Sequence, residues 1–157
     1  MEKGLLGDLR TILRADPGRP NAAKRIADWI AGVRRYRWVG LYEVTPTEIG
    51  MVACTGSAPP AFPRFPVSRG LCGAAVAARS VVNVGNVQED PRWLTTFGTT
   101  RSEIIVPVLS VGARVVGLID VESDQPNAFR DEDERFLAQC AAELRQLFVA
   151  GDGKADS

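Results

Sequence analysis

The order of helix and strand patterns predicts an α/β (α+β) domain with a central antiparallel sheet, terminal helices on one face and a ligand pocket on the other. Three observations support this class. Apolar residues recur at helical spacing near both ends of the chain, apolar and polar residues alternate in the middle, and two strong strand patterns flank a tight turn near Gly112.

Each predicted element has its own start or stop signal. Proline and glycine at 16–20 end the first helix, Asn21 can cap the second, and Asp131 with Glu134 has the spacing of a capping box. The predicted helices cover 5–13, 21–33, 70–78 and 131–148, the strands cover 38–44, 48–54, 81–84, 103–109 and 113–122, and loops cover 56–66 and 88–100.

Length and composition indicate a single globular unit. The 157 residues are 45% apolar, and 19 acidic residues balance 19 basic ones. We expect one domain over residues 1–150 and a polar tail over 151–157. Scattered basic residues argue against a nucleic-acid or membrane partner. Because no bilayer-length apolar segment or signal-peptide pattern occurs, a cytoplasmic protein is expected.

The cysteine and histidine content limits the catalytic and metal sites that the chain can form. Cys54, Cys72 and Cys140 form no CxxC pair and no zinc spacing, and the sequence has no histidine. This excludes a Ser-His-Asp triad, a Cys-His pair and a histidine-ligated metal site, so neither a metal nor a cofactor is expected. Cys140 lies on an apolar helical stripe and is expected in the core, while Cys54 ends a strand and has no assigned role.

Three carboxylates share one face of the last predicted hairpin. A two-residue type II′ turn with Gly112 at its first central position places Glu103 opposite Glu122, with Asp120 two residues along the same face. A central pair of Val111 and Gly112 would instead place Glu103 opposite Asp120. A three-residue loop would break this argument.

The two faces of this hairpin differ in character. Val115 is expected on the apolar face that packs on the helices, and Val116 beside Leu118 on the acidic face. Like charges opposite each other cost roughly 0.2–1 kcal/mol per pair, so the cluster indicates a cationic partner. That partner is either a ligand ammonium or a guanidinium. The alternative is a solvated face neutralised by Arg101 or Arg114.

Trp38 and Tyr42 form a second candidate site. They lie four residues apart on a predicted strand and therefore share a face, and Gly40 between them leaves room for a ligand between aromatic walls. A pair of core aromatic residues is the alternative, since large aromatic side chains are usually buried.

Cys72 is the third candidate. It lies between Gly70 and Gly73 at a predicted helix start, where free N–H groups and the helix dipole are expected to lower a thiol pKa. A buried structural cysteine is the alternative.

Four segments together resemble the GAF superfamily, and within it the free methionine-R-sulfoxide reductases. They are residues 38–42, 70–75, 101–108 and 117–123. The resemblance runs from about Trp38 to Leu147. It implies a GAF-like fold and a small closed pocket for free methionine sulfoxide, in which aromatic residues enclose the methyl group and carboxylates hold the amino group.

The resemblance assigns roles to residues already singled out and also shows departures. Trp38 and Tyr42 match the aromatic wall, and Glu103, Asp120 and Glu122 match the acids, with Glu122 in place of a more usual aspartate. Two of the family's three cysteines are missing. Thr96 stands at the position of the attacking cysteine, followed by Phe97 where aspartate is expected, and Phe62 aligns near the third cysteine. Only Cys72 matches a family cysteine.

Three functions follow as hypotheses. The first is a binding or signal-sensing module that keeps an amino-acid-sized pocket without catalysis. The second is a reductase in which Cys72 attacks the sulfoxide and an external thiol resolves the sulfenic acid. The third is a cyclic-nucleotide sensor, which the acidic face disfavours because phosphate prefers N–H groups and basic residues. The amphipathic segment from Leu5 to Leu13 could also support a homodimer.

Overall fold

The computed structural model describes residues 2–15, 19–57 and 59–152, and it forms one six-stranded sheet with five α-helices. The strands are β1 (Trp38–Val44), β2 (Glu48–Cys54), β3 (Arg64–Pro66), β4 (Val82–Val84), β5 (Ser102–Leu109) and β6 (Val115–Ser123). The helices are α1 (Glu2–Arg14), α2 (Arg19–Arg34), α3 (Gly70–Ala78), α4 (Asp131–Glu143) and α5 (Arg145–Asp152), with a 3₁₀ turn at Val87–Glu89.

The strands pair antiparallel in the order β3-β2-β1-β6-β5-β4. This confirms the predicted mixed fold. The terminal helices cover one face, where Leu9, Ile26, Leu137 and Cys140 are fully buried with the apolar residues of β5 and β6. The other face packs against α3. The core position of Cys140 is thus confirmed.

Two boundaries differ from the sequence prediction. Residues 64–66 were expected in a loop but form β3, because this segment pairs with the edge of β2. Arg19 and Pro20 belong to the first turn of α2, a position that tolerates proline, so Asn21 is not its cap. Part of the predicted helix break, residues 16–18, and part of the predicted tail, residues 153–157, lie outside the described residues.

The predicted final helix is divided in two. A turn at Leu144 separates α4 from α5, although the whole predicted apolar stripe is buried. At the start of α4, the Asp133 carboxylate accepts a hydrogen bond from the backbone N–H of Arg130 at 2.9 Å. The capping interaction therefore lies one residue before the predicted pair of Asp131 and Glu134.

The face of α1 proposed for dimerisation is partly used within the chain. Leu9 and Ile12 are buried against the helix-facing core. The homodimer stays a prediction. Within the part of the chain that the structure describes, no helix is both long and apolar enough to cross a bilayer.

The turn between β5 and β6 is not the predicted two-residue turn. Ser110 donates from its N–H to the carbonyl of Arg114 at 2.8 Å, and Ala113 donates to the carbonyl of Ser110 at 2.9 Å. The loop thus contains three residues, 111–113. Ala113 has a φ of 64°, the left-handed conformation usually supplied by glycine.

A β-bulge compensates for the longer loop. Leu109 pairs with Val115 but Val108 pairs with Gly117, so Val116 is the extra residue. This restores the predicted register, and Glu103 lies opposite Glu122 as expected. The bulge also exchanges two side chains: Val115 lies on the acidic face and Val116 on the helix-facing side, the reverse of the prediction.

The turn geometry makes two substitutions diagnostic. Ala113→Gly should raise the free energy of unfolding by about 1 kcal/mol, because it relieves a left-handed alanine. Gly112→Ala should not be destabilising, because Gly112 does not have a positive φ and a Cβ there has room. Urea unfolding of both variants is the measurement. The two-residue turn would be indicated instead if Ala113→Gly left the free energy of unfolding unchanged and Gly112→Ala lowered it by more than 1 kcal/mol.

Candidate functional site

The β5–β6 hairpin buries all three predicted carboxylates on the face that packs against α3. Glu103, Asp120 and Glu122 are 3%, 1% and 2% exposed. Trp38 and Tyr42 on β1 lie on the same side of the sheet, because Trp38 pairs with Glu122 and Gly40 with Asp120. The five side chains therefore come together at the centre of the sheet, as the strand alternation predicted.

The expected arginine counter-ion is absent from this cluster. Among the described residues, no arginine or lysine forms an ion pair with any of the three acids. Arg101 instead donates to the Thr100 carbonyl at 3.2 Å. Arg114 lines a separate groove with Val44 and Val115. The hypothesis that Arg101 or Arg114 neutralises the acids is thus wrong.

Burial and mutual repulsion change the protonation of these acids. Desolvation, then the charges of Asp120 and Glu122, raise the pKa of Glu103 well above its usual value. Desolvation raises the pKa of Asp120 to about 6, against a hydrogen bond from Glu103. Desolvation and Asp120 raise the pKa of Glu122 to about 8, against its hydrogen bonds from Thr100 and Thr96. Near neutral pH the cluster therefore holds fewer than three negative charges.

Several polar atoms at this site have no hydrogen-bond partner within the described chain. They include Asp120 Oδ1, Glu122 Oε2 and the indole N–H groups of Trp38 and Trp93. The other oxygens are better satisfied: Thr100 Oγ1 donates to Glu122 Oε1 at 2.8 Å, and the Cys72 thiol approaches Asp120 Oδ2 at 4.0 Å. Unpaired buried polar groups are costly, and each is a ready partner for a ligand.

A cavity of about 20 Å³ lies beside the acids. It has room for about one water molecule. Its lining combines acidic, aromatic and thiol groups and contains no arginine or lysine; the residues are Tyr42, Phe62, Phe65, Gly70, Leu71, Cys72, Leu94, Thr95, Thr96, Glu103 and Asp120. Of the predicted ligand-binding residues, Tyr42, Glu103 and Asp120 line it, whereas Trp38 and Glu122 lie next to it.

Gly40 makes room for Trp38 rather than for a ligand. A Cβ on Gly40 would lie 2.5 Å from the Cη2 atom of the Trp38 indole, so that ring covers the glycine. Phe97 packs edge-on against Trp38 at a centroid distance of 5.3 Å, and Phe65 packs against Tyr42 at 5.9 Å. The expectation of an open slot between Trp38 and Tyr42 is thus corrected.

Cys72 has the opposite pKa shift from the one expected at a helix start. It is 6% exposed at the beginning of α3. Burial, followed by the charges of Asp120, Glu103 and Glu122, raises its pKa well above the usual value. Desolvation and the neighbouring carboxylates outweigh any effect of the helix dipole, which acts only within the first turn.

Cys54 lies on the same face of the sheet as the acids but not in the cavity. It pairs with Gly40, which in turn pairs with Asp120, so two inter-strand spacings separate it from the acids, about 9.6 Å. The Trp38 indole covers the intervening glycine. Cys54 is therefore absent from the residues that line the cavity beside Cys72.

The sequence did not single out Trp93, Leu94, Thr100 or Phe65. Trp93 and Leu94 belong to the long loop predicted to be functional, but their aperiodic context gave no sign of which side chains point inward. Phe65 was hidden by the loop prediction for 56–66. Thr100 lies just before β5 and donates to Glu122 on the paired strand β6, a contact between distant segments that no local pattern indicates.

The raised carboxyl pKa values predict the pH dependence of stability. The folded protein binds more protons than the unfolded chain from about pH 4 upwards, so its free energy of unfolding should fall as pH rises through about 6 and about 8. Thermal unfolding measured across this pH range should show the decrease in stability, and Glu122→Gln should make stability fall less steeply with pH. The exposed control Glu89→Gln should keep the wild-type slope. A rise in stability over the range would contradict the assignment.

Comparison with known proteins places the chain in a family. It matches the GAF domain family over residues 21–148. GAF domain-containing protein A of Dictyostelium discoideum is 31% identical over 125 residues, which cover 78% of each chain. The free methionine-R-sulfoxide reductase of Escherichia coli strain K12 is 30% identical over 123 residues, which cover 74% of this chain and 69% of that protein.

A solved structure shows the same architecture. The free methionine-R-sulfoxide reductase of Neisseria meningitidis, in complex with its substrate, has a TM-score of 0.85 and 26% identity, and the match covers 98% of this chain and 91% of that one. The chain therefore belongs to the GAF domain family.

Proposed function

We propose that this GAF domain binds a small free amino acid, similar to methionine sulfoxide, and does not reduce it at an appreciable rate. The observation that carries the proposal is a cluster of three buried carboxylates that borders an aromatic cavity and has, among the described residues, no cationic side chain paired to it. Similarity to free methionine-R-sulfoxide reductases, one of them solved with its substrate, supports this ligand class.

An ammonium group satisfies what the acidic cluster lacks. It brings one positive charge and donors for the unpartnered Asp120 Oδ1 and Glu122 Oε2. By favouring the charged form of Glu103 and its neighbours, it would lower their raised pKa values. Because no arginine or lysine lines the cavity, a cyclic nucleotide has no partner there for its phosphate.

The aromatic side chains suit the other end of such a ligand. Tyr42, Phe65 and Phe62 line the cavity together with the acids, so a methyl or thioether group can pack against aromatic rings. The cavity of about 20 Å³ is smaller than an amino acid, so binding requires an outward movement of Leu94–Thr96 or of Phe62, which is 47% exposed.

The proposed absence of catalysis is supported by the number and the state of the thiols at the cavity. Cys72 is the one cysteine among the residues lining the cavity, and Thr96 and Phe62, which the resemblance aligns with family cysteines, line it as well. A threonine hydroxyl does not reduce a sulfoxide, and the raised pKa of Cys72 leaves little thiolate near neutral pH. Cys54, the other cysteine on this side of the sheet, is not among the residues that line the cavity, so no second thiol on the cavity wall is available to resolve a sulfenic acid on Cys72.

The alternative function is a reductase that uses Cys72 with an external thiol. Attack of Cys72 Sγ on the sulfoxide sulfur, with protonation of the oxygen, yields methionine and a Cys72 sulfenic acid. One external thiol then displaces water to form a mixed disulfide, and a second releases Cys72 and the oxidised thiol. The observation that favours this candidate is that Cys72 is the one thiol among the residues lining the cavity.

Ligand binding is tested by thermal shift. The R and S epimers of free methionine sulfoxide and methionine should raise the unfolding temperature, whereas cyclic nucleotides should not, because only the former carry an ammonium group. Glu103→Gln and Asp120→Asn should abolish the shift, and Glu89→Gln should leave it intact. No shift with any free amino acid, for a wild-type protein that unfolds cooperatively, would contradict the proposal.

Catalysis is tested by turnover of the R epimer with dithiothreitol. The wild type should form methionine no faster than Cys72→Ser, and Thr96→Cys should gain activity because it supplies a thiol on the cavity wall. Rapid wild-type turnover that Cys72→Ser abolishes would establish the reductase alternative. Inactivity of Thr96→Cys, despite measured binding, would show that the position does not face the sulfoxide.

A further inference from the structure

The acidic cluster includes a group that an ammonium ligand does not use. Cys72 Sγ, a carboxylate oxygen of Glu103 and a carboxylate oxygen of Asp120 all lie within 4.8 Å of one another. All three residues are buried and all three line the cavity. A thiol sulfur is a weak acceptor for an N–H donor, whereas a thiolate is a strong ligand for soft and borderline metal ions.

We propose that Cys72, Glu103 and Asp120 form a binding site for a thiophilic divalent cation of the Zn²⁺ or Cd²⁺ type. The three donors would supply one sulfur and two oxygens, and the adjoining cavity would hold a water molecule as the fourth ligand. The absence of histidine from the sequence excludes histidine-ligated sites but not this donor set.

The separation of Cys72 Sγ from Asp120 Oδ2 is close to that of two ligands in a tetrahedral site, and the Glu103 oxygen lies within 4.8 Å of both atoms. At usual zinc–sulfur and zinc–oxygen bond lengths, two such ligands lie about 3.6 Å apart. Cys72 Sγ and Asp120 Oδ2 are 4.0 Å apart, so a contraction of a few tenths of an ångström brings them to that distance. The larger Cd²⁺ requires less movement.

A second observation points to a cation in the same place. Asp120 Oδ1 is buried without a hydrogen-bond partner, although Asp120 lines the cavity. Within the described residues no lysine or arginine pairs with Glu103 or Asp120. A bound metal ion supplies the missing positive charge, and its binding releases the thiol proton to solvent.

Metal and amino-acid ligand would exclude each other, because both would occupy the cavity and both would use Asp120. Metal binding does not require that the amino acid binds, so the two proposals can fail separately. Zn²⁺ would then act as a reversible competitor of the ligand in this pocket.

The test is a titration of the full chain with Cd²⁺ in the presence of a phosphine reductant. Thiolate–cadmium absorption in the ultraviolet should saturate at one equivalent, and Cys72→Ser should remove it. Glu103→Gln should weaken binding by at least the roughly tenfold that loss of an outer-shell partner costs. Cys54→Ser, the matched control at a half-buried cysteine outside the cavity, should leave absorption and affinity unchanged.

Three outcomes would overturn the proposal. Loss of the absorption in Cys54→Ser but not in Cys72→Ser would place the metal at the other thiol. Unchanged Cd²⁺ affinity in Glu103→Gln would show that Glu103 is not a ligand and that the metal binds the cysteine without the proposed donor set. Absence of the absorption in the wild type would exclude the site. If Cys72→Ser does not unfold cooperatively, the Glu103→Gln affinity decides, and competition by methionine sulfoxide reports on the amino-acid proposal independently.

Discussion

The pairing of β5 with β6 is the constraint on which the rest of the structure depends. Because side chains alternate along each strand, this pair separates a largely apolar surface from a surface that carries the three acids. Ile104, Val106, Ile119 and Val121 are buried beneath the terminal helices. The same alternation leaves Glu103, Asp120 and Glu122 no position except the opposite face, where α3 and the 88–100 loop cover them.

Burying those acids has a cost that the structure does not offset with a cationic side chain. Their pKa values rise instead, and two of their oxygens lack partners within the described residues. Such an arrangement is unfavourable for the isolated protein and favourable for a protein that receives a cation, because the incoming charge restores the interaction that water provided. An ammonium group and a metal ion differ in one respect here: only the metal makes use of Cys72.

The surroundings of Cys72 connect structure with chemistry. The same acids that suit a cationic ligand raise the thiol pKa, so the features that favour binding oppose nucleophilic attack. Thr96 and Phe62 line the cavity beside it but provide no second thiol. These are the features on which the proposal of binding without reduction rests.

The sequence by itself determined the secondary-structure order, the two faces of the last hairpin and the core stripe of the final helices, because these follow from local periodicity. It also brought Glu103, Asp120 and Glu122 together, although for an incomplete reason: a three-residue turn and a bulge at Val116 offset each other. Only the tertiary structure decided that Trp38 covers Gly40, that 64–66 joins the sheet and that, among the described residues, no arginine forms an ion pair with the acids. Each of these depends on contacts between segments distant in sequence, and neither periodicity nor local propensity encodes such contacts.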